Sequence, residues 1–322
     1  MAILFLIAVG SIFLGRYPNF PGLSLERLST DVLSQNLVFR LRFPRILFSI
    51  LLGMCLSVAG YVMQMIFRNP LVEPGFLGVS QGAAFGAALA ILSVGYSPLF
   101  VEGSAILFAF AGLFLSYLIS LKIRLGDSML KLVLAGIAVT ALFSSGVGLL
   151  KYLADPVKQL PDLVFWLLGG LASTRWESVL YVLPIIFIGL IVIYLFRWRI
   201  NVLSLDDPIA ISLGVNLRIE KAVLLGASVA IAGAVISVAG IIGWVGLIIP
   251  HITRLLVGSN PRIGLPIAIL LGGTFTLICD DIARTLIPGE IPLGILTSLL
   301  GAIIFIGLLA SGKVLVRQGA HE

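Results

Sequence analysis

Charge is scarce in this sequence: only 11% of its 322 residues are Asp, Glu, Lys or Arg, against roughly 25% in an ordinary soluble domain. Hydrophobic residues make up 59%. A chain of this composition cannot cover a water-facing surface, which excludes a soluble globular protein and makes the bilayer its solvent. Histidine is almost missing, with His251 beside Pro250 and His321 in the tail. No His/Cys/carboxylate cluster stands at metal-ligand spacing, and no Ser–His pair suits an intramembrane hydrolase. His251 is expected in a satisfied packing or interfacial role. Asp280 and Asp281 are adjacent, so on a helix they point ~100° apart and make a poor shared-proton dyad. Cys55 and Cys279 lie inside apolar runs as small hydrophobes and imply no disulfide. "GLLASGKV" (Gly307–Val314) nearly spells a phosphate-binding loop, but Val314 stands where the Mg²⁺-binding hydroxyl belongs and no strand precedes it. This chain is therefore expected to bind neither cofactor nor metal; ATP and Mg²⁺, if used, belong to a partner. Ionisable residues are also expected to be missing from the middle of every span, which argues against an ion-coupled carrier. An enzyme is not expected.

What the sequence has is apolar runs. A spanning helix needs about 20 residues, and nine runs qualify as candidates: Ala2–Gly15, Ile46–Phe67, Leu77–Ser97, Ser104–Leu121, Leu132–Leu150, Ser178–Phe196, Ala222–Thr253, Ile263–Cys279 and Ile291–Gly312. The seventh is too long for one helix and holds Gly240, Gly243, Gly246 and Pro250, so it divides into two short spans. The expectation is an all-α polytopic bundle of about ten transmembrane helices in a single domain, 1–322, with no soluble catalytic part. The first run has no basic residues before it and is kept as a span rather than a secretory signal.

Alternating sides from an inside N-terminus puts twelve of the 21 basic residues in the cytoplasm, a small bias in the usual direction. The pI near 9.5 thus reflects topology and gives no signal for nucleic acid. Arg40, Arg42 and Arg45 crowd the outer mouth of the second span, with Pro44 among them. Anchoring the helix in headgroups is one role for them, but their density on the side where such residues are less favoured, and the restraint of Pro44, argue for more.

Two interruptions stand out. Asp162–Trp176 holds an apolar stretch too short to span, expected to be interfacial or re-entrant, with Trp166 and Trp176 in an outer aromatic belt. Asn201–Lys221 reads as a cytoplasmic loop carrying a short helix, which Asp206 or Asp207 caps, Pro208 starts and Gly214 ends. The fifth span places Gly136, Thr140, Ser144 and Gly148 on one face, either a close packing seam or the lining of a pathway. "SVAG" occurs at Ser57–Gly60 and again at Ser237–Gly240; with the same offset Pro70 meets Pro250 and Gly78 meets Gly258, an echo of inverted repeats.

Eight segments, "LRFPRIL", "RNPLVEPGFLGVSQGAAFG", "KLVLAGIAV", "WLLGGLAS", "ISLGVNL", "GWVGLIIPHITRLLVG", "DDIART" and "EIPLGILTSLLGA", resemble in this order the membrane permeases of ABC importers for cobalamin, iron–siderophores and haem. The resemblance implies ten spans per subunit, a homodimer with the cargo route on its two-fold axis, two cytoplasmic ATPase subunits, an extracytoplasmic substrate-binding protein and a place in the prokaryotic cytoplasmic membrane. It implies coupling to the ATPase through Asp206, Asp207, Pro208, Leu213, Gly214 and Val215. It also implies a route lined by Gly136, Thr140, Ser144, Gly148, Thr297 and Ser298. An inner gate is implied near Asp127, Ser128, Met129 and Leu130, and docking of the binding protein on Arg42, Arg45 and Arg284. One departure is "GAIIF" (Gly301–Phe305), where the family commonly reads G-A-P-F-F, and a straighter last helix is expected. The competing readings are a secondary carrier or channel working without ATP, and the same architecture importing an oxyanion such as molybdate.

Overall fold

In lipid every backbone N–H and C=O must find a partner within its own segment, so charge-poor runs fold as helices. The computed structural model describes residues 1–16, 28, 31–124 and 128–310, and the described residues are helical without a β-strand. Asp127 of the expected gate and residues 311–314 of the phosphate-loop lookalike lie outside the described residues.

The chain opens with α1 (Ala2–Phe13) and α2 (Val32–Asn36), whose first turn is capped by Asp31. A π-helical stretch, Leu37–Arg42, leads from α2 into α3 (Phe43–Ile66). A connection with a 3₁₀ turn, Pro74–Leu77, precedes α4 (Val79–Val94). Next come α5 (Pro98–Lys122), α6 (Ser128–Leu153), α7 (Gln159–Leu168) and α8 (Trp176–Leu195). Two short helices follow, α9 (Arg197–Leu203) and α10 (Asp207–Ser212). The last four are α11 (Leu217–Ala239), α12 (Val245–Val257), α13 (Pro261–Thr285) and α14 (Leu293–Ala310).

Seven helical segments are long and apolar enough to cross a membrane: Val32–Ile66, α5, α6, α8, α11, α13 and α14. Where three further spans were expected, α1, α4 and α12 are shorter, at 12, 16 and 13 residues. The expected split of Ala222–Thr253 is present, with Gly240 (φ 72°) ending α11 and Trp244 (φ 72°) opening α12. The last helix runs without a break across Gly301–Phe305.

The core is built around α3, which packs on α11, α12 and α13. Small residues let the backbones touch. A Cβ on Gly53 would lie 2.0 Å from the Gly272 carbonyl oxygen, and one on Gly60 would lie 1.8 Å from that of Gly246. Such contacts replace the hydrophobic drive that is missing between helices in lipid. The peripheral helices α5, α6, α8 and α14 turn large apolar side chains outward, as lipid or a second subunit requires.

The unwound 240–244 segment lies against α7 and α14. The Gly170 N–H donates to the Ala239 carbonyl (2.8 Å), and the Gly294 N–H donates to the Gly169 carbonyl (3.3 Å). Irregular backbone inside a membrane protein survives where protein groups satisfy it in this way. Trp166 belongs to this packing: it is buried, and its carbonyl blocks any side chain at Gly240. The belt expected for Trp166 is thus corrected, because α7 folds inward. Trp176 is half-buried, stacks on Phe43 and donates its indole N–H to the Phe39 carbonyl (2.9 Å).

The long helix α3, a break and the short α4 are matched by α11, a break and the short α12. The echoing residues do not coincide, since the first SVAG lies inside α3 and the second ends α11.

Candidate functional site

Three regions carry the chemistry: one at each end of the bundle and one between them. At the first end, α10 starts with Pro208 in its first turn and stops at Gly214 (φ 77°), as its sequence requires. The expected carboxylate cap is absent: neither Asp206 nor Asp207 caps α10 with its side chain. Both instead form ion pairs. Arg68 Nη1 lies 3.1 Å from Asp206, and Arg68 Nη2 lies 2.7 Å from Asp207 and also donates to the Leu205 carbonyl. Lys221 Nζ completes the cluster, 3.1 Å from Asp207. Partial burial raises the Asp207 pKa, but hydrogen bonds and charge from Lys221, then Arg68, outweigh it and hold the carboxyl below its usual range. Ala210 and Val215 anchor the loop in the core, while Ile209, Ile211 and Leu213 stay exposed.

Between the ends, level with Leu56 in the middle of α3, lies a cavity of about 330 Å³. Its polar lining comes from Glu73, Ser80, Gln81 and Thr140. The half-buried Glu73 carboxylate faces the backbone N–H of Trp244, between the two broken segments. Glu73 reaches the cavity from the connection between α3 and α4, outside every crossing helix. Glu73 escaped notice because it stands in a short connection that sequence alone places at the cytoplasmic surface; the brevity of α4 was the available signal, since the connection must dip inward to meet it.

The Gly136 face of α6 is not uniform. Gly136 is packed, its Cβ position only 2.5 Å from the Phe76 carbonyl oxygen. Thr140 lines the cavity, and its hydroxyl has no partner among the described residues. Ser144 and Gly148 are exposed. Thr297 is fully buried and donates to the Gly294 carbonyl, and its neighbour Ser298 is half-exposed. Ser128, Met129 and Leu130 begin α6 at the coupling-loop end. His251 is buried, as a packing role expects, and its Nε2 has no partner among the described residues.

At the opposite end, Arg45 forms a two-pronged pair with Asp280 through Nε (3.0 Å) and Nη2 (2.8 Å). Its Nη1 donates to both oxygens of Glu290, at 2.8 and 2.9 Å. Arg284 donates to Asp281 and to the hydroxyl and carbonyl of Ser11, whose hydroxyl donates to Asp281 (2.6 Å). Arg42 donates to the Ile12 carbonyl (2.7 Å). Two arginines therefore close the C-terminal turn of α1, where carbonyls are left over and the helix dipole is negative. Arg42, Arg45 and Arg284 are gathered at one end, as the sequence suggested. Each, however, already holds internal partners, and three carboxylates balance three guanidinium groups. Arg40 is exposed.

The FecCD transport family model matches residues 2–311. The chain belongs to the FecCD transport family. The molybdate import system permease protein MolB of Haemophilus influenzae is 40% identical over 311 residues, 94% of this chain and 91% of that one. The hemin transport system permease protein HmuU of Yersinia pestis is 38% identical over 317 residues, 96% and 93% of the two chains. A solved structure of a metal-chelate type ABC transporter in an inward-facing conformation superposes with a TM-score of 0.88, at 40% identity, and covers 96% of this chain and 97% of that one. As a FecCD protein this chain is a multi-pass ABC importer permease of the prokaryotic cytoplasmic membrane, a transport component and not an enzyme.

Proposed function

We propose that this chain carries a metal chelate of iron–siderophore, haem or cobalamin type from an extracytoplasmic binding protein into the cytoplasm. It works as a homodimer with two cytoplasmic ATPase subunits, and ATP and Mg²⁺ bind there. The observation that supports this most is the clamp on α10. A short helix with exposed apolar side chains, tied by Arg68 and Lys221 to the ends of α3 and α11, offers a partner both a surface and a handle. ATPase closure that shifts α10 pulls Arg68, and with it the connection bearing Glu73 at the cavity wall. Gly136, Thr140, Ser144, Gly148 and Ser298 border the route, and the segment Asp127–Leu130 forms its inner gate. The binding protein docks at the arginine end by partner exchange: an incoming carboxylate reaches Arg45 by displacing Glu290, whose side chain is 41% exposed.

The test is uptake into vesicles reconstituted with the permease, its ATPase and its binding protein, run with a panel of cargoes with and without ATP. Chelate uptake that needs ATP is expected. Two other readings each have an observation in their favour. A carboxylate beside a central cavity is the kind of group ion-coupled carriers use; uptake driven by a pH gradient without ATP would select that reading. The molybdate permease relative favours an oxyanion cargo, although Glu73 repels an anion; molybdate outcompeting every chelate would select it.

A further inference from the structure

Near the coupling-loop end, where α9 packs on α13, a pocket of about 210 Å³ is lined by Arg197, Trp198, Asn201, Asn260 and Arg262. Every one of these side chains offers an N–H donor, and none is a carboxylate. The ion pairs found among the described residues include neither Arg197 nor Arg262, while the nearby Arg199 meets Glu220 at 3.6 Å. Arg197 is held in place without losing its charge, its guanidinium 4.0 Å from the centre of the Tyr194 ring. The Asn260 side-chain oxygen accepts the Arg262 backbone N–H (3.0 Å), which leaves its amide N–H₂ for the pocket.

Depth identifies the ligand. Arg197 lies just past the end of α8, and Arg262 lies in the first turn of α13; both are crossing helices, so the pocket sits where a bilayer places its headgroups. Leu195, two residues before Arg197, and Ile263, directly after Arg262, are exposed apolar side chains at these helix ends. We propose that this pocket binds the phosphate of an anionic phospholipid, with the acyl chains running along Leu195 and Ile263. Two guanidinium groups without counter-ions among the described residues favour a headgroup carrying net negative charge over a zwitterionic one.

The experiment is native mass spectrometry of the purified full-length permease, titrated with phosphatidylglycerol, phosphatidylcholine and inorganic phosphate. Phosphatidylglycerol is expected to bind in preference to phosphatidylcholine and to resist millimolar phosphate. The double variant Arg197→Gln with Arg262→Gln should bind it about thirtyfold more weakly. Arg197→Lys with Arg262→Lys keeps both charges and should retain most of the binding. Equal retention of the two lipids, undiminished binding by the glutamine variant, or full displacement by inorganic phosphate overturns the proposal; the last result makes the pocket a site for the free anion. If the glutamine variant does not fold, wild-type binding in high salt decides: loss of phosphatidylglycerol supports the site, and indifference to salt overturns it.

Discussion

Asp280 has no exposed side-chain surface, and Arg45 is the cation in contact with it among the described residues. Removing one partner of such a pair leaves the other charge buried and uncompensated, at a cost of about 3–5 kcal/mol. Arg45→Gln, which strands the Asp280 carboxylate, should therefore lower thermal stability in detergent sharply; an unchanged melting temperature would refute the pairing. The docking proposal needs a gentler probe, since Arg45→Glu would confound docking with this loss. Glu290→Gln breaks a half-exposed contact worth about 0–1 kcal/mol and frees Arg45 Nη1. It should leave stability intact and tighten binding of an acidic partner protein, measured by surface plasmon resonance; unaltered affinity counts against exchange at Arg45. At Asp207 the depressed pKa means that the clamp's stabilisation is fully present above the ordinary aspartate value near 3.8 and is lost as pH falls through the lower folded value. ATPase coupling should consequently be flat from about pH 5 to 8, and a break in that range in coupled hydrolysis would argue against it. Sequence spacing showed that Asp280 and Asp281 diverge. It could not show that Asp280 meets an arginine 235 positions away, because nothing local encodes that pairing.

Helices themselves were legible, because a bilayer leaves a charge-poor run little else to form, and Gly240 with its neighbours marked the break after α11 correctly. The lengths of α4 and α12 and the burial of Trp166 were not, since these depend on which backbone groups lie alongside. The α10 loop was half legible. Pro208 and Gly214 announce its start and stop, whereas a cap-type aspartate looks the same in sequence whether it bonds its own backbone or a distant arginine. Gly214 has open space around it, so its requirement is conformational alone. Gly214→Val should cost roughly 1–2 kcal/mol in the loop and uncouple hydrolysis from uptake. Gly214→Asn, which tolerates the left-handed region, should retain most coupling; equal transport per ATP in both variants would remove the loop from the mechanism. On α6, Thr140→Trp fills the central cavity from its wall and should block uptake while membrane insertion and yield hold. Normal uptake in that variant would take this face of α6 out of the route.

At the scale of the whole molecule, much of the charge sits at the two ends, and α3 joins the arginine cluster at one end to the α10 clamp at the other. Its first turns carry Arg45, bound to Asp280, and the residue two beyond its last, Arg68, grips α10. The helix itself is 24 residues long, about 36 Å at 1.5 Å per residue. Glycine contacts seat this helix so closely on α12 and α13 that it has no room to bend or slide. A rod clamped along its length can pass a displacement from one face of the membrane to the other only by tilting with its neighbours as a single lever. Spectroscopic labels at the two ends of α3 should then keep a fixed separation through the nucleotide cycle while their distances to α6 change, and the fulcrum lies in the looser outer helices instead of the crowded centre.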